Sequence, residues 1–339
     1  MRKLVCMLAV LSIATGAASA VTVYAPNALP RPYPFDGPDD LVMFDSEDPA
    51  GFVTVGSMNV IGISFGGMDF DADGNLWTYA SIYKATGGAA SGLYSVDINT
   101  GAATMQGTDS HQTLQDIAFN PVDNQMYGIN SQSNVTRLYT IDLTTGDVTT
   151  VGAFTGLPDP HHAMGFAIDS NGNFYLQELR TCDCIYKGAG LDLELLYELP
   201  QDTHFSQGMT IDWSRNNRGY HGAVGQGEFP NYFSQVNSFA PDGSGYVLGP
   251  DFGPNEMYEG YGYPLVEPGD LAIMPANDPW CFGDINGDNQ VNLSDLAQLL
   301  SSYGLTSGAA YEDGDLDGDA DVDLADLAAL LAEYGVVCQ

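Results

Sequence analysis

Basic residues are scarce in this chain of 339 residues: 9 Lys and Arg stand against 44 Asp and Glu, for a formal net charge of -35. Nucleic acids and anionic membranes attract proteins through basic surface. The deficit therefore excludes nucleic acid and anionic membrane surfaces as partners. Residues 281–339 contain no Lys or Arg at all, so we expect this segment to repel itself unless cations neutralise it.

Long apolar runs are also rare, and the prominent one lies near the start. Arg2 and Lys3 precede an apolar run from Leu4 to Ile13, and a small-residue site follows at residues 18–20. This order predicts a secretory signal peptide over residues 1–20. No other run is long and apolar enough to span a bilayer. We therefore expect a secreted, extracellular protein with no membrane span.

Cysteine is infrequent, and four cysteines remain after the predicted signal peptide: Cys182, Cys184, Cys281 and Cys338. Disulfides persist outside the cell. A bond between Cys281 and Cys338 would tie the two ends of the C-terminal segment together and contribute roughly 3–4 kcal/mol on the chain-entropy estimate. Cys182 and Cys184 are too close for an unstrained bridge within an extended strand. They pair across a tight turn or, on weaker grounds, bind a metal.

Motifs of several enzyme classes are missing. The chain contains no nucleophile elbow, phosphate-binding loop or dinucleotide fingerprint. A glycosidase pair of acids does not stand out among 44 carboxylates. Motifs alone therefore leave open whether the protein is an enzyme.

What the sequence does contain is an internal repeat made of two elements. The first is an apolar strand, a Gly/Asn turn and an aromatic strand, found at Gly67–Trp77, Asp116–Tyr127, Gly165–Tyr175, Gly208–Tyr220 and, in part, Gly269–Pro275. The second is a strand, a turn and a strand, found at Leu41–Gly56, Leu93–Gly107 and Leu138–Gly152, with weaker copies from Ile185 and Tyr232. Together they predict four strands per unit of about 43–50 residues, the size of a propeller blade.

The order of the elements predicts how the ring closes. The chain begins with the second element and ends with the first, so strands near Val21, Leu41 and Phe52 can complete the blade that Leu271–Met274 begins. We predict an all-β, five-bladed propeller over residues 21–278 with this velcro closure. A sixth blade within Gly222–Gly269 is the alternative.

The repeat, with its G-[MF]-x-[FI]-[DN] strand and its LYxIDxxTGxxTxVG hairpin, resembles NHL and other WD40-like secreted propellers. The motifs identify a blade and no chemistry, so the resemblance implies a fold and no activity.

Four of the five histidines lie in one place relative to the repeat, in the segment before the apolar strand. They are His111, His161, His162 and His204, and the equivalent segment before Ile273 holds Glu267. If that strand is innermost, these side chains lie at one mouth of the central channel. There they could hold zinc or a similar metal, or act as acid and base. The alternative is that they pack on Tyr and Phe or are solvated.

A short acidic pattern lies in the first copy of the repeat. Asp69, Asp71 and Asp73 precede Gly74 and resemble a calcium loop in miniature. Asp71, however, matches the Asn or Asp of the other copies, so the pattern is largely a feature of the repeat.

Near the C-terminus, side-chain oxygens twice follow the spacing of a full calcium loop. Positions 1, 3, 5, 9 and 12 supply side chains and position 7 a backbone carbonyl. The first set is Asp284, Asn286, Asp288, Gln290, Asn292 and Asp295; the second is Asp315, Asp317, Asp319, Asp321, Asp323 and Asp326. Apolar residues with helical spacing follow each loop, from Leu296 to Tyr303 and from Leu327 to Tyr334. The pattern predicts two Ca²⁺ sites.

The two loop-helix units, GDINGDNQVNLSDLAQLLSSYG and GDLDGDADVDLADLAALLAEYG, are similar to type I dockerins. The resemblance covers Cys281–Gln339, and we assign residues 279–339 to this module. It implies a small all-α module that folds on calcium and attaches to a cohesin-like or cell-surface protein. Position 6 departs from the usual Gly, being Asn289 and Ala320. Positions 10 and 11, where such dockerins tend to carry hydroxyls, are Leu293-Ser294 and Leu324-Ala325.

These features favour a secreted calcium-binding protein. Its propeller, which we expect to be non-catalytic, would bind a polysaccharide or a protein, and its dockerin-like module would attach it to a scaffold or surface. The alternative is a carbohydrate-active enzyme, a polysaccharide lyase or glycoside hydrolase, that carries a dockerin. A third hypothesis is a structural, calcium-dependent surface protein with no small ligand.

Overall fold

The computed structural model describes residues 21–27, 39–60, 64–81, 91–108, 112–200, 208–215, 217–226, 232–250, 252, 270–275, 283–286, 290–306, 309, 313–316, 321–332 and 334–335. The chain divides into two compact units, one over Ala20–Asn277 and one that includes Asp278–Gln339. Among the residues described, no helix has the length and apolar character needed to cross a membrane.

The larger unit contains five four-stranded antiparallel sheets, which we call blades 1 to 4 and the closing blade. The chain starts in the closing blade with β1 (Thr22–Asn27), β2 (Asp40–Asp45) and β3 (Asp48–Ser57). Blade 1 contains β4 (Ser64–Phe70), β5 (Leu76–Ser81), β6 (Gly92–Val96) and β7 (Ala103–Met105). Blade 2 contains β8 (Asp116–Asn120), β9 (Gln125–Gln132), β10 (Val135–Ile141) and β11 (Val148–Ala153).

The later blades follow the same order. Blade 3 contains β12 (Ala163–Ile168), β13 (Phe174–Glu178), β14 (Cys184–Gly188) and β15 (Glu194–Glu198). Blade 4 contains β16 (Met209–Asp212), β17 (Arg218–Gln226), β18 (Tyr232–Phe239) and β19 (Tyr246–Val247). The chain then returns to the closing blade with β20 (Ala272–Ile273).

Pairing of the two ends of the larger unit closes the ring. The closing blade has the order β20-β1-β2-β3, and β1 pairs with β20 through Val23 opposite Ile273 and Tyr24 opposite Ala272. This confirms the five-bladed propeller and its predicted closure. Strands described between Gly222 and Gly269 belong to blade 4, so this part of the chain forms no sixth blade in the residues described.

The innermost strand is the first in chain order in blades 1 to 4 and β20 in the closing blade. These strands contact one another around the ring, from β4 to β8, β12, β16, β20 and back to β4. One apolar side chain of each strand occupies an equivalent position and is buried: Phe70, Phe119, Ile168, Ile211 and Ile273. The ring of apolar side chains arises because each copy of the repeat places the same residue type at the same register.

Asp side chains shape the outer turns of the blades. The Asp97 carboxylate accepts from the Asn99 amide at 2.8 Å, and the Asp142 carboxylate accepts from Thr144 and Thr145 at 2.8 and 2.9 Å. These hydrogen bonds hold the pKa of both carboxyls below the usual value. Gly146 ends its turn at φ +73°, a conformation that glycine adopts without strain.

The smaller unit contains two short helices, α1 (Leu293–Ser302) and α2 (Leu324–Ala332). Backbone bonds cross between its two loop-helix repeats, from the Gly335 amide to the Val291 carbonyl and from the Gly304 amide to the Val322 carbonyl, both at 2.8 Å. The apolar core around them consists of Ile285, Val291, Leu299, Leu316, Val322 and Leu330. Each repeat thus completes the backbone bonding of the other.

Close approach of the inner strands makes a specific glycine necessary. A Cβ at Gly67 would lie 2.8 Å from the Asp116 Cα and collide with the Ile117 amide. Contacts this short force backbone movement. We predict that Gly67→Ala lowers the free energy of unfolding by about 1–3 kcal/mol, measured by urea denaturation. Gly190→Ala is the matched control, because a Cβ added there would have nothing within 4 Å; equal effects of the two substitutions would contradict the inner-strand packing.

Candidate functional site

The described parts of the two acidic loops are built around the carboxylates at loop position 12, Asp295 and Asp326, which are both completely buried. One oxygen of Asp295 accepts from the amides of Ile285 at 2.8 Å and Asn286 at 3.1 Å. In the second loop, Asp326 accepts from the Leu316 amide at 2.7 Å. Each carboxylate therefore ties the start of its loop to the helix that follows.

The same two carboxylates also take part in capping the N-termini of the helices. The Asn292 side chain accepts from the Ser294 amide at 2.7 Å, and the Asp295 carboxylate accepts from the Asn292 amide at 2.8 Å. Asp323 and Asp326 repeat this arrangement in the second loop, with amide bonds of 2.6 and 2.7 Å. These reciprocal bonds form a capping box, so one acid organises both the loop and its helix.

The donor set of the second loop fits a hard cation. Oxygens of Asp321, Asp323 and Asp326 lie within 4.8 Å of one another, and carboxylates are the ligands that Ca²⁺ prefers. In the first loop, Asp284, Asn286, Gln290 and Asn292 are described together with Asp295, and in the second Asp315 is described and buried. The remaining predicted ligands, Asp288, Asp317 and Asp319, and the position-6 residues Asn289 and Ala320 lie outside the described residues. Calcium binding stays a prediction.

The predicted channel-mouth cluster is only partly visible. His111, His204 and Glu267 lie outside the described residues. His161 is buried with its Nδ1 2.7 Å from the Pro158 carbonyl oxygen. His162 is half-buried, and burial together with the Arg180 charge lowers the pKa of its imidazole. A metal or acid-base role for the cluster stays a prediction.

The loop from Leu179 to Asp183 lies beside these histidines. It is organised by the buried carboxylate of Glu178, which accepts from the amides of His162, Arg180 and Cys182 at 3.2, 2.6 and 3.2 Å. Cys182 and Cys184 are bonded, with 2.06 Å between their sulfurs. The structure therefore supports pairing across a tight turn, and the weaker interpretation, a metal site at these cysteines, stays untested. Cys281 and Cys338 lie outside the described residues.

The miniature calcium pattern of blade 1 serves a turn. Asp71 accepts from the amides of Asp73 and Asn75 at 3.0 and 2.9 Å and from the Trp77 indole at 2.8 Å. In blade 3, Asp169 accepts the equivalent bonds from the backbone amides of Asn171 and Asn173 and from the Tyr175 hydroxyl. Because Asp169 makes the same set of bonds at the equivalent position of another blade, the geometry favours the interpretation that Asp71 belongs to the repeat.

A carboxyl cluster in the central channel was missed by the sequence analysis. One inner-strand position is occupied in turn by Gly67, Asp116, Gly165, Gly208 and Asp270. Asp116 and Asp270, from blades that are not neighbours, are fully buried and within hydrogen-bond reach of each other. Glycine at the other three positions leaves room for them. Aligning the copies of the repeat at this position would have revealed the two acids.

These acids also join neighbouring blades. Asp116 accepts from the Phe166 amide of blade 3 at 2.6 Å, and Asp270 accepts from the Met68 amide of blade 1. Asp69, which lies two residues after Gly67 in β4, accepts from the Phe119 amide of blade 2 at 2.8 Å. Three junctions of the ring therefore share the same type of bond, from a buried carboxylate to a backbone amide.

Burial dominates the ionisation of this cluster. It raises the pKa of Asp69 to about 7, and burial and mutual repulsion raise the pKa of Asp116 well above its usual value. Burial likewise raises the pKa of Asp270. A shared proton lets two such carboxyls lie side by side without two buried charges.

Comparison with known proteins gives one partial family match and several similar solved structures. A family described as a repeat of unknown function, DUF6923, matches residues 71–190, which is about a third of the chain. No curated protein matches the sequence. Similar solved structures include a nidogen/laminin complex, with a TM-score of 0.44, 12% identity and coverage of 75% of this chain and 98% of that one.

Two further similar structures come from bacteria. A gluconolactonase from Xanthomonas campestris has a TM-score of 0.41 and 13% identity, covering 71% of this chain and 83% of its own. TolB from Acinetobacter baumannii has a TM-score of 0.41 and 12% identity, covering 75% of this chain and 67% of its own. Identities this low carry no information about activity.

The channel cluster predicts a particular pH dependence of stability. Between the unfolded-state pKa of 3.8 and the folded-state pKa of about 7, as for Asp69, the folded propeller binds more protons than the unfolded chain. The contribution of these buried carboxyls to the stability of the propeller is therefore fully present below pH 3.8, and it is lost as pH rises through the folded-state pKa.

We predict that Asp116→Asn reduces the fall in thermal midpoint between pH 4.5 and pH 7.5 by several degrees, measured by circular dichroism. Asp97→Asn is the control, because the folded-state pKa of Asp97 is lowered and its contribution is lost only as pH falls further. An unchanged pH profile in Asp116→Asn would contradict the shared proton.

Proposed function

We propose that this protein is an exported, calcium-dependent docking protein, in which the C-terminal loop-helix module binds two Ca²⁺ ions and attaches a propeller to a partner protein. The observation that carries the proposal is the pair of buried position-12 carboxylates, Asp295 and Asp326. Each occupies the same place in its loop, with the same bonds to the loop start and to the helix cap. A bidentate acid at this position is a hallmark of calcium loops.

Charge supports calcium as the ligand. The module has no Lys or Arg, so no basic side chain of its own can neutralise the oxygens of its loops. Burying carboxylates without a counter-charge is unfavourable. Divalent cations held in both loops would remove this repulsion and couple metal binding to folding.

The surface of the two helices supports a docking role. Three pairs of equivalent apolar residues have matching exposure: Leu293 and Leu324 at 68% and 67%, Leu300 and Leu331 at 51% and 52%, and Tyr303 and Tyr334 at 46% and 47%. Only Leu299 and Leu330 of the predicted helical stripes are fully buried. An exposed apolar set of this kind is typical of an interaction surface.

The partner we propose for this surface is a cohesin-like protein. The module is acidic throughout and the apolar residues lie on it in two equivalent sets. A complementary partner presents an apolar patch with Lys or Arg around it, because complementary charge guides association and rejects other partners. Position 10 of the two loops is Leu293 and Leu324, and these side chains make the surface more apolar than Ser or Thr would.

The propeller, in our proposal, binds a glycan or a protein at the face that carries His161, His162 and Arg180. Loops of this face come together from blades 2 and 3, since the Arg180 guanidinium donates to the Asn134 amide oxygen at 2.9 Å. Exposed polar loops on a rigid scaffold are where binding sites are usually placed. Export agrees with the Cys182–Cys184 disulfide, since such bonds persist in oxidising compartments.

Calcium binding is tested by Asp295→Asn and Asp326→Asn. Asn keeps an oxygen that can accept the loop amides but loses a charged, bidentate ligand. We expect each substitution to weaken calcium binding at its loop roughly tenfold or more, measured by isothermal titration calorimetry. Glu333→Gln, an acid outside the twelve loop positions, is the control and should retain both sites. Circular dichroism of the module that does not respond to calcium or chelator would refute the proposal.

Docking is tested with a recombinant type I cohesin as the probe. We expect the double substitution Leu293→Ser and Leu324→Ser to weaken binding roughly tenfold or more, with calcium binding unchanged. Val247→Ser alters an exposed apolar residue of the propeller and should have no effect. If calcium binds and cohesin does not, the partner assignment is wrong while the calcium sites stand.

A further inference from the structure

The disulfide on the propeller closes an unusually small ring. Cys182 and Cys184 are two positions apart, and they lie where the loop from Leu179 to Asp183 meets β14. Glu178 and Cys184 already face each other as the last pair of β13 and β14. A covalent link between groups that the chain and the sheet hold together removes little freedom from the unfolded state. Global stability is therefore a poor explanation for this bond.

Non-covalent bonds hold the same loop. The Glu178 carboxylate accepts from the amides of Arg180, Thr181 and Cys182, and the Leu199 amide donates to the Asp183 carbonyl at 2.9 Å. The two sulfurs are thus positioned by groups that do not depend on the bond between them. Opening the bond would leave both sulfurs within reach of each other, which makes closure reversible.

The residue enclosed by the ring has a left-handed backbone conformation. Asp183 has a φ of +48°, in a region that few residues adopt but that Asn and Asp enter more readily than most. A ring that contains only this residue between its cysteines limits the conformations open to its backbone. Reduction would remove that restraint.

Access to the two sulfurs is unequal. Cys182 is half-buried, whereas Cys184 is 1% exposed. The Cys182 sulfur also lies 3.6 Å from the Tyr186 hydroxyl, which can donate to this sulfur when Cys182 is released as a thiolate, and 3.7 Å from a carboxylate oxygen of Glu178. An incoming thiolate therefore meets Cys182 first.

We propose that Cys182–Cys184 is a thiol-disulfide exchange site whose partner is a small or protein thiol. The attacking thiolate forms a bond to the Cys182 sulfur and breaks the Cys182–Cys184 bond, and Cys184 leaves as a thiolate that takes up a proton. A second thiolate then attacks the partner's sulfur in this mixed disulfide and releases Cys182, which is also protonated. Two thiols are oxidised to one disulfide, and the two electrons reduce the cysteine pair.

The exchange site lies on the propeller face that we propose for binding, and this point rests on the proposed function. Within the same loop, the Leu179 amide donates to the His162 carbonyl at 3.1 Å, Thr181 donates to the Pro160 carbonyl, and Arg180 reaches Asn134. The loop thus joins the segment before β12 to the turn between β9 and β10. The cysteine pair therefore lies in the loop that contacts His162 and carries Arg180, whether or not the calcium module docks as proposed.

The test uses the native full-length protein in glutathione buffers of increasing reduced fraction, followed by alkylation and mass spectrometry. Trypsin cleavage after Arg180 and Lys187 releases both cysteines in one short peptide, Thr181–Lys187. We expect this peptide to change from almost unlabelled to almost fully labelled at both cysteines within the glutathione range, and to reverse on reoxidation. Structural disulfides resist the glutathione pool. A pair that stays closed until dithiothreitol and denaturant are added would overturn the proposal.

The double variant Cys182→Ser, Cys184→Ser provides a second measurement. For an exchange site, the propeller should keep its circular dichroism and its thermal midpoint to within a few degrees, while amide hydrogen exchange increases in Leu179–Asp183. Loss of the folded propeller in this variant, or in the glutathione-reduced protein, would assign the bond a structural role and refute the inference.

Discussion

Carboxylates bound to backbone amides are the interaction on which this structure depends. At the centre of the ring, Asp69, Asp116 and Asp270 each accept an amide from the neighbouring blade. Buried carboxyls are costly unless they are paired, hydrogen-bonded or protonated. Here backbone amides donate to all three acids, and burial raises their pKa values and so favours the neutral form. The inner strands of neighbouring blades are therefore joined by polar bonds as well as by apolar contacts.

The scarcity of basic residues explains why this solution recurs. With 44 acids and 9 bases, few carboxylates can find a guanidinium or ammonium partner, although Arg215 and Asp212 do form an ion pair at 3.1 Å. Other acids use amides: Asp71 and Asp169 in the blade turns, and Glu178 in the loop beside the disulfide. Asp295 and Asp326 extend the pattern to the second unit, where the proposed calcium ions would add the missing positive charge.

The two units thus combine different tasks. The propeller is held by ring closure and by a core between its blades, so its loops can vary without loss of the scaffold. The loop-helix module is too small to rely on its apolar core alone, since below about 70–80 residues a single core supplies little stability. The two proposed cation sites would add stability to this small core, and its exposed apolar face agrees with the attachment role that we propose.

Sequence by itself predicted the blades and the way the ring closes and favoured five blades over six, because strand period, turn residues and the order of repeated elements are local patterns. It also predicted both loops with their following helices, since each loop and its helix are contiguous in the chain. It left the pairing of Cys182 and Cys184 open, because the turn that brings their sulfurs together depends on the strands on either side.

Only the tertiary structure decided that Asp116 and Asp270 meet. They are far apart in sequence and in blades that are not neighbours, and their contact exists only when all five inner strands close around a narrow channel. The same holds for Leu300 and Tyr303, whose helical spacing suited a buried face but which are exposed. Each of the two short helices buries one Leu completely in their shared core, Leu299 or Leu330, whereas Leu300 and Tyr303 stay at the surface.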